Sequence, residues 1–207
     1  ARFAQVLAVS YDATVPIATG YHDRVIVTGN PVRASLAAGA PARAFAHWWL
    51  RPEPPLLYVT GGARGASPLN QRLAALLPDL LEHCQIVHQT GPAGANRDAE
   101  MLAARRETWS PHLRARYHIV EFVRDELADL YGRAAAFAFL SSYEGFGLTP
   151  LDAIEARVPA VVLDTPVARE IYGSAAHYVT TPDPALVEAA LERVLFDASE
   201  RTRLIEV

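Results

Sequence analysis

Ser141-Ser142-Tyr143-Glu144-Gly145-Phe146-Gly147-Leu148-Thr149-Pro150-Leu151-Asp152 follows an apolar run at 134–140 and opens into a helical pattern that starts at Pro150. The run reads as a buried strand. A strand that passes through glycines into a helix N-terminus makes a place for an anion. The glycines let backbone approach closely, and the unpaired N–H groups and helix dipole point at the occupant. Glu144 and Asp152, on either side of the turn, are carboxylates able to hold hydroxyl groups beside that anion. A phosphate flanked by sugar hydroxyls is the outline of a nucleotide sugar.

The same device recurs outward from this stretch. Asn30-Pro31, Ser67-Pro68, Thr149-Pro150, Thr165-Pro166 and Asp183-Pro184 each join an N-capping residue type to proline. That pairing predicts a helix with the first residue as N-cap and proline at its first turn. The first four follow β-rich runs at 24–28, 56–60, 134–140 and 160–163. Strands alternating with helices imply parallel βαβ units, so these four starts are expected along one carboxyl edge of one sheet. Ligands of open α/β sheets bind at that edge. Arg33, Arg64 and Arg169 lie close to the starts.

Composition narrows the chemistry. The 207 residues, 51% hydrophobic and 20% charged, suit one α/β domain with an appendage. A net charge of −4 argues against a general nucleic-acid binder. No apolar segment reaches membrane-spanning length, and one cysteine, Cys84, excludes an internal disulfide and fits a reducing, cytoplasmic setting. All 19 basic residues are arginine. Without lysine there is no P-loop phosphate lysine, no Schiff base and no pyridoxal phosphate site.

Along the chain, strands are expected at 3–10 and 25–28, a short helix at 31–38, and loop-like linker at 39–42 and 51–55. Trp48 and Trp49 are expected to pack that linker onto the body. Beyond it follow strand 56–60, helix 68–82 kinked or split in its last turn at Pro78, strand 85–89, helix 95–108, strand 117–122, helix 125–132 and strand 134–140. Helix 150–156, strand 160–163, a helical turn at 167–172, strand 177–179, helix 184–196 and a last helical piece from 199 complete the pattern. The fold class is α/β: a Rossmann-like open parallel sheet with helices on both faces.

Glu144-Gly145-Phe146-Gly147-Leu148 with Asp152, and Val158-Pro159-Ala160-Val161-Val162 with Glu170, resemble the C-terminal domain of group-one GT-B glycosyltransferases. Thr28-Gly29-Asn30-Pro31-Val32-Arg33, Thr60-Gly61-Gly62-Ala63-Arg64-Gly65-Ala66 with Asn70, and His88-Gln89-Thr90-Gly91 resemble another GT-B branch, the peptidoglycan N-acetylglucosaminyltransferases. The resemblance spans about residues 23–200. It implies a donor-binding domain at 29–207, preceded at 1–28 by the end of an N-terminal domain and its linker. It further implies that the acceptor site lies in that missing N-terminal domain, so the chain alone is expected to be inactive. Peripheral membrane attachment through the missing half is compatible with the cytoplasmic reading.

Position by position, the resemblance implies that Gly62, Arg64 and Gly65 meet the donor diphosphate, with Arg33 nearby. Phe122 and Val123 would meet the base through their backbone. Leu148 and Thr149 would offer amides to phosphate at the end of the Gly145-Phe146-Gly147 turn. Asp152, where the family has glutamate, would hold the ribose, and Glu144 the transferred sugar as the catalytic contact. The family's phosphate-side lysine is absent, so Arg64 would stand in for it or the site is weakened. The donor is a nucleotide sugar bound as substrate, with a UDP-sugar as leading candidate. No cofactor is implied, and the absence of an Asp-x-Asp pair agrees with a metal-independent site. The group-one branch retains anomeric configuration and the peptidoglycan branch inverts; the Glu144 block favours retention.

Thr149 and Asp152 are also spaced as a capping box, a structural role compatible with ribose binding. Two other functions fit the same motifs, a non-catalytic nucleotide-sugar-binding module and a GT-B sugar-nucleotide epimerase. A nicotinamide dehydrogenase does not fit, because the glycines lack the dinucleotide spacing and no acidic residue ends the strand at Gln89.

Overall fold

Leu56–Thr60, Gln85–Gln89 and Ala136–Phe139 are buried along their whole length, as strands covered on both faces must be. In the computed structural model, which describes residues 3–29, 33, 36, 39–92, 97–142 and 146–206, these strands form the middle of a six-stranded parallel sheet. The chain divides into two units, 1–32 and 33–207.

The first unit contains β1 (Leu7–Val9), a 3-10 turn at Asp12–Thr14, α1 (Val15–Ala18) and β2 (Val25–Val27). β1 and β2 pair in parallel, Leu7 opposite Val25. The expectation that 24–28 joins the main sheet is therefore corrected: β2 sits in a separate two-stranded sheet. Its three residues include Ile26 and Val27, nearly half exposed, unlike the fully covered strands of the large sheet.

The second unit begins with α2 (Pro41–Trp48), where linker was expected at 39–42. Proline at the start of α2 is tolerated because the first amides of a helix have no intrahelical acceptor. Trp48 packs into the core, whereas Trp49 closes the helix in the left-handed region, exposed. Then come β3 (Leu56–Thr60), α3 (Ser67–His83), β4 (Gln85–Gln89), α4 (Asp98–Arg106), α5 (Pro111–Arg114), β5 (Tyr117–Val120), α6 (Leu127–Arg133) and β6 (Ala136–Phe139). The chain continues with α7 (Leu148–Glu155), β7 (Ala160–Leu163), α8 (Pro166–Tyr172), β8 (Ala176–Val179), α9 (Pro184–Phe196) and α10 (Ala198–Ile205). The helix expected at 31–38 falls largely outside the described residues.

The strand order is β5-β4-β3-β6-β7-β8. Successive crossovers run outward in both directions from the β3–β6 pair, so the topology reverses there. At such a switch point the loops leaving the two carboxyl ends diverge and open a crevice. Side chains alternate across each strand. Leu57 and Val59 join a core with α3, α4, α9 and α10. Leu56 and Tyr58 join the opposite core with α2, α6, α7 and α8.

Only some of the Xaa-Pro pairs act as caps. Thr165 accepts from the Ala168 amide, and Asp183 from Ala185 and Leu186. At Ser67-Pro68 and Thr149-Pro150 the helix starts earlier, with Ala66 and Gly147 as N-caps. The Ser67 hydroxyl instead donates to Asp98 at 2.9 Å. The capping-box reading of Thr149 with Asp152 is thereby corrected: Thr149 lies inside the first turn of α7. The preceding glycine, at φ +60°, starts the helix early.

Candidate functional site

Two glycine-bearing stretches leave the strands at the switch point. The first, Gly61 to Ala66, leaves β3. Gly62 has φ +81°, its amide donates to the Thr60 hydroxyl at 3.0 Å, and its carbonyl accepts from the Gly65 amide at 3.1 Å. Gly65, at φ +71°, presses against the Thr90 carbonyl, where a Cβ would collide. Glycine is needed here both for the left-handed backbone and for the close approach. The second ends at Gly147, the N-cap of α7. A Cβ there would run into the Tyr172 hydroxyl, which donates to the Gly147 carbonyl at 3.1 Å. From Gly147 the chain enters α7, whose first amides have no intrahelical acceptor.

Beside the Gly62 turn lies a cleft of about 340 Å³ lined by Arg33, Gly62, Phe122, Val123, Arg124 and Thr149, among others. Its floor comes from β3, β4 and α6: Tyr58, Thr60, Gln89 and Tyr131 also border it. Burial raises both tyrosine hydroxyls above the ordinary phenol range, so the floor is neutral. Asp152 lies buried on α7 and accepts from Arg33 at 2.5 Å. That hydrogen bond raises the pKa of the Arg33 guanidinium, which is about 61% exposed at its side chain. The cleft thus carries an arginine, ion-paired to Asp152, at its edge. Phe122, 43% exposed, stands at the mouth with the Arg124 guanidinium 5.2 Å from its ring centre.

The residues expected from sequence are distributed unevenly. Arg33, Gly62, Phe122, Val123 and Thr149 line this cleft, and Asp152 reaches it through Arg33. Arg64 is exposed and does not line it; Gly65 braces the turn from behind. Gly147 caps α7, while Phe146 and Leu148 are exposed and lie outside the lining. Glu144 and Gly145 fall outside the described residues. Among the described residues no group of His, Cys, Asp or Glu has the arrangement of a metal site.

Sequence reasoning missed Gln89, Tyr58, Tyr131 and Arg124. The available signal for Gln89 was a glutamine closing a strand at the carboxyl edge. Its neighbour His88 points to the other core, fully buried between the Tyr117 hydroxyl at 2.8 Å and Asn70 Oδ1 at 3.0 Å. Desolvation lowers its pKa to about 3. A larger hollow, about 530 Å³ beside β8, is bordered by Arg169, Arg193 and Arg203, each within 4.0 Å of a carboxylate.

Residues 98–207 match the family described as "Glycosyl transferases group 1". The chain is 31% identical over 130 residues to the UDP-N-acetylglucosamine--N-acetylmuramyl-(pentapeptide) pyrophosphoryl-undecaprenol N-acetylglucosamine transferase of Treponema denticola, covering 62% of the chain and 33% of that protein. It is 25% identical over 183 residues to transferase 2 of the same description from Bacillus cereus, covering 84% of the chain and 48% of that protein. The chain thus spans about half or less of these relatives' length. Among solved structures it is similar to WaaG, a glycosyltransferase involved in lipopolysaccharide biosynthesis, with TM-score 0.68 and 16% identity over 97% of the chain and 56% of WaaG. It is similar too to a sucrose-phosphate synthase from Thermosynechococcus elongatus, with TM-score 0.64 and 18% identity over 97% of the chain and 53% of that protein. These likenesses show the GT-B fold.

Proposed function

The chain belongs to the group 1 glycosyl transferases, and from that premise we propose that residues 33–207 bind the nucleoside diphosphate of a sugar donor in the switch-point cleft. The observation that carries this reading is the meeting of the Gly62 turn, Arg33 and the start of α7 around one opening. Its volume of about 340 Å³ suits a small polar ligand. Arg33 and the α7 amides neutralise the diphosphate, and they are worth most as charge gathers on it during departure. Asp152 holds Arg33 with one oxygen and offers the other to a ribose hydroxyl. Phe122 and Val123 border the base. Glu144 contacts the transferred sugar.

The curated relatives are named for N-acetylglucosamine transfer, which favours a UDP-N-acetylhexosamine as donor here. Transfer itself needs an acceptor domain, and with it the proposed reaction is metal-independent and retains configuration. An inverted product seen by proton NMR would overturn retention. Calorimetric titration with UDP, GDP and ADP tests the donor site: binding of at least one is expected, and none at millimolar concentration would overturn the assignment. Glu144→Ala is expected to spare nucleotide affinity and lower that for the nucleotide sugar; equal losses contradict its role.

A further inference from the structure

Gln89 ends β4 on the face shared with Val87 and Tyr58, and it is 4% exposed. Every side-chain polar atom of this residue is engaged. Its Oε1 accepts from the Val123 amide at 2.9 Å and from the Tyr58 hydroxyl at 3.2 Å. Its Nε2 donates to the Gly62 carbonyl at 3.0 Å. Gly62 belongs to the turn after β3 and Val123 to the segment after β5, strands on either side of β4. These loops border the cleft from opposite sides, and backbone at Val123 has no strand ladder to fix it, since β5 ends at Val120.

Resting on the donor-binding reading above, we propose that Gln89 is a positioning residue that ties the phosphate turn to the base-side loop, so that the two halves of a nucleotide are received at one fixed spacing. Its two ends have separate duties. The carbonyl oxygen fixes the base side through Val123, and the amide nitrogen fixes the phosphate side through Gly62. The Val123 amide is consumed by this bond and is not offered to the base. A rigid amide spanning both loops makes the sites mutually dependent: ordering one orders the other, a coupling carried by a contiguous hydrogen-bonded path.

The test compares three probes: whichever of UDP, GDP or ADP the chain binds, its nucleoside alone, and inorganic pyrophosphate alone. With Gln89→Leu the nucleotide is expected to lose about tenfold or more in affinity, while each half loses less than about threefold because it fits its own loop wherever that loop settles. Gln89→Glu keeps acceptors for Val123 and Tyr58 but has no donor for Gly62. Like Gln89→Leu, it is expected to leave the nucleoside and pyrophosphate each within about threefold and to weaken the nucleotide. Losses in proportion across all three probes, or no loss, overturn the inference.

A wild-type measurement stands whether or not the variants fold. Exchange of the Val123 amide is expected to slow when pyrophosphate alone is added; unchanged exchange at saturating pyrophosphate overturns the coupling. If the wild-type chain binds none of the nucleotides, the donor reading itself fails and this inference with it. Nucleotide binding with uncoupled halves defeats only the role of Gln89.

Discussion

Gly147 shows how much one residue decides. Its backbone is left-handed, and Tyr172 fills the space a side chain would need. Gly147→Ala is therefore expected to lower unfolding free energy by at least about 1–2 kcal/mol from the backbone conformation alone, and to weaken nucleotide binding by shifting the start of α7. Urea unfolding and calorimetry check both effects. Tyr172→Phe removes the hydrogen bond to the Gly147 carbonyl and is expected to cost about 1 kcal/mol. His88 sets a pH dependence. The unfolded chain protonates it near 6.5, as for any free histidine, whereas the folded chain does so near 3. Between those values the unfolded state binds more protons, so stability falls as pH drops through the window. By pH 5 the loss relative to pH 7 is about 2 kcal/mol from this group. His118, lowered to about 4 by desolvation and by Arg106, adds in the same direction. Urea midpoints from pH 7 to 5 are expected to show a shallower slope for His88→Gln; an identical slope refutes the assignment.

Helix boundaries depend on more than local chemistry. Ser67 and Thr149 have good capping side chains, yet the helices begin before them because glycine turns deliver the backbone earlier. The start of α2 has no side-chain cap of its own. Its amide at Ala40 is instead received by Asp129 of α6 at 2.7 Å, which also holds Arg43 through two bonds. Asp129→Ala leaves both donors without that acceptor and is expected to lower the urea midpoint more than Arg43→Met does. Pro78 lies inside α3, which runs unbroken from Ser67 to His83. An interior proline cannot donate to the carbonyl one turn back. Pro78→Ala is accordingly expected to raise the urea midpoint, and a lower midpoint would show that the ring's packing outweighs the missing bond.

For the whole molecule, the donor reading predicts a coupling of ligand to folding. A nucleotide at about one hundred times its dissociation constant stabilises the folded state by about 2.7 kcal/mol, seen as a higher melting temperature for the 33–207 unit. The shift is expected to be unchanged by EDTA and smaller at high salt, which screens the diphosphate from Arg33. Alternating apolar runs and turn residues were enough to read the parallel α/β architecture, since burial on both faces imposes its own hydrophobic signature on each strand. Glycine positions announced the two turns for the same local reason: positive φ excludes most side chains. Which residues share a cleft was not local. Asp152 meets Arg33 across 119 positions, and Gln89 bridges Gly62 to Val123, because the strand order places β3 beside both β4 and β6. A strand's neighbours are chosen by the packing of all six together, and no stretch of chain carries that choice alone.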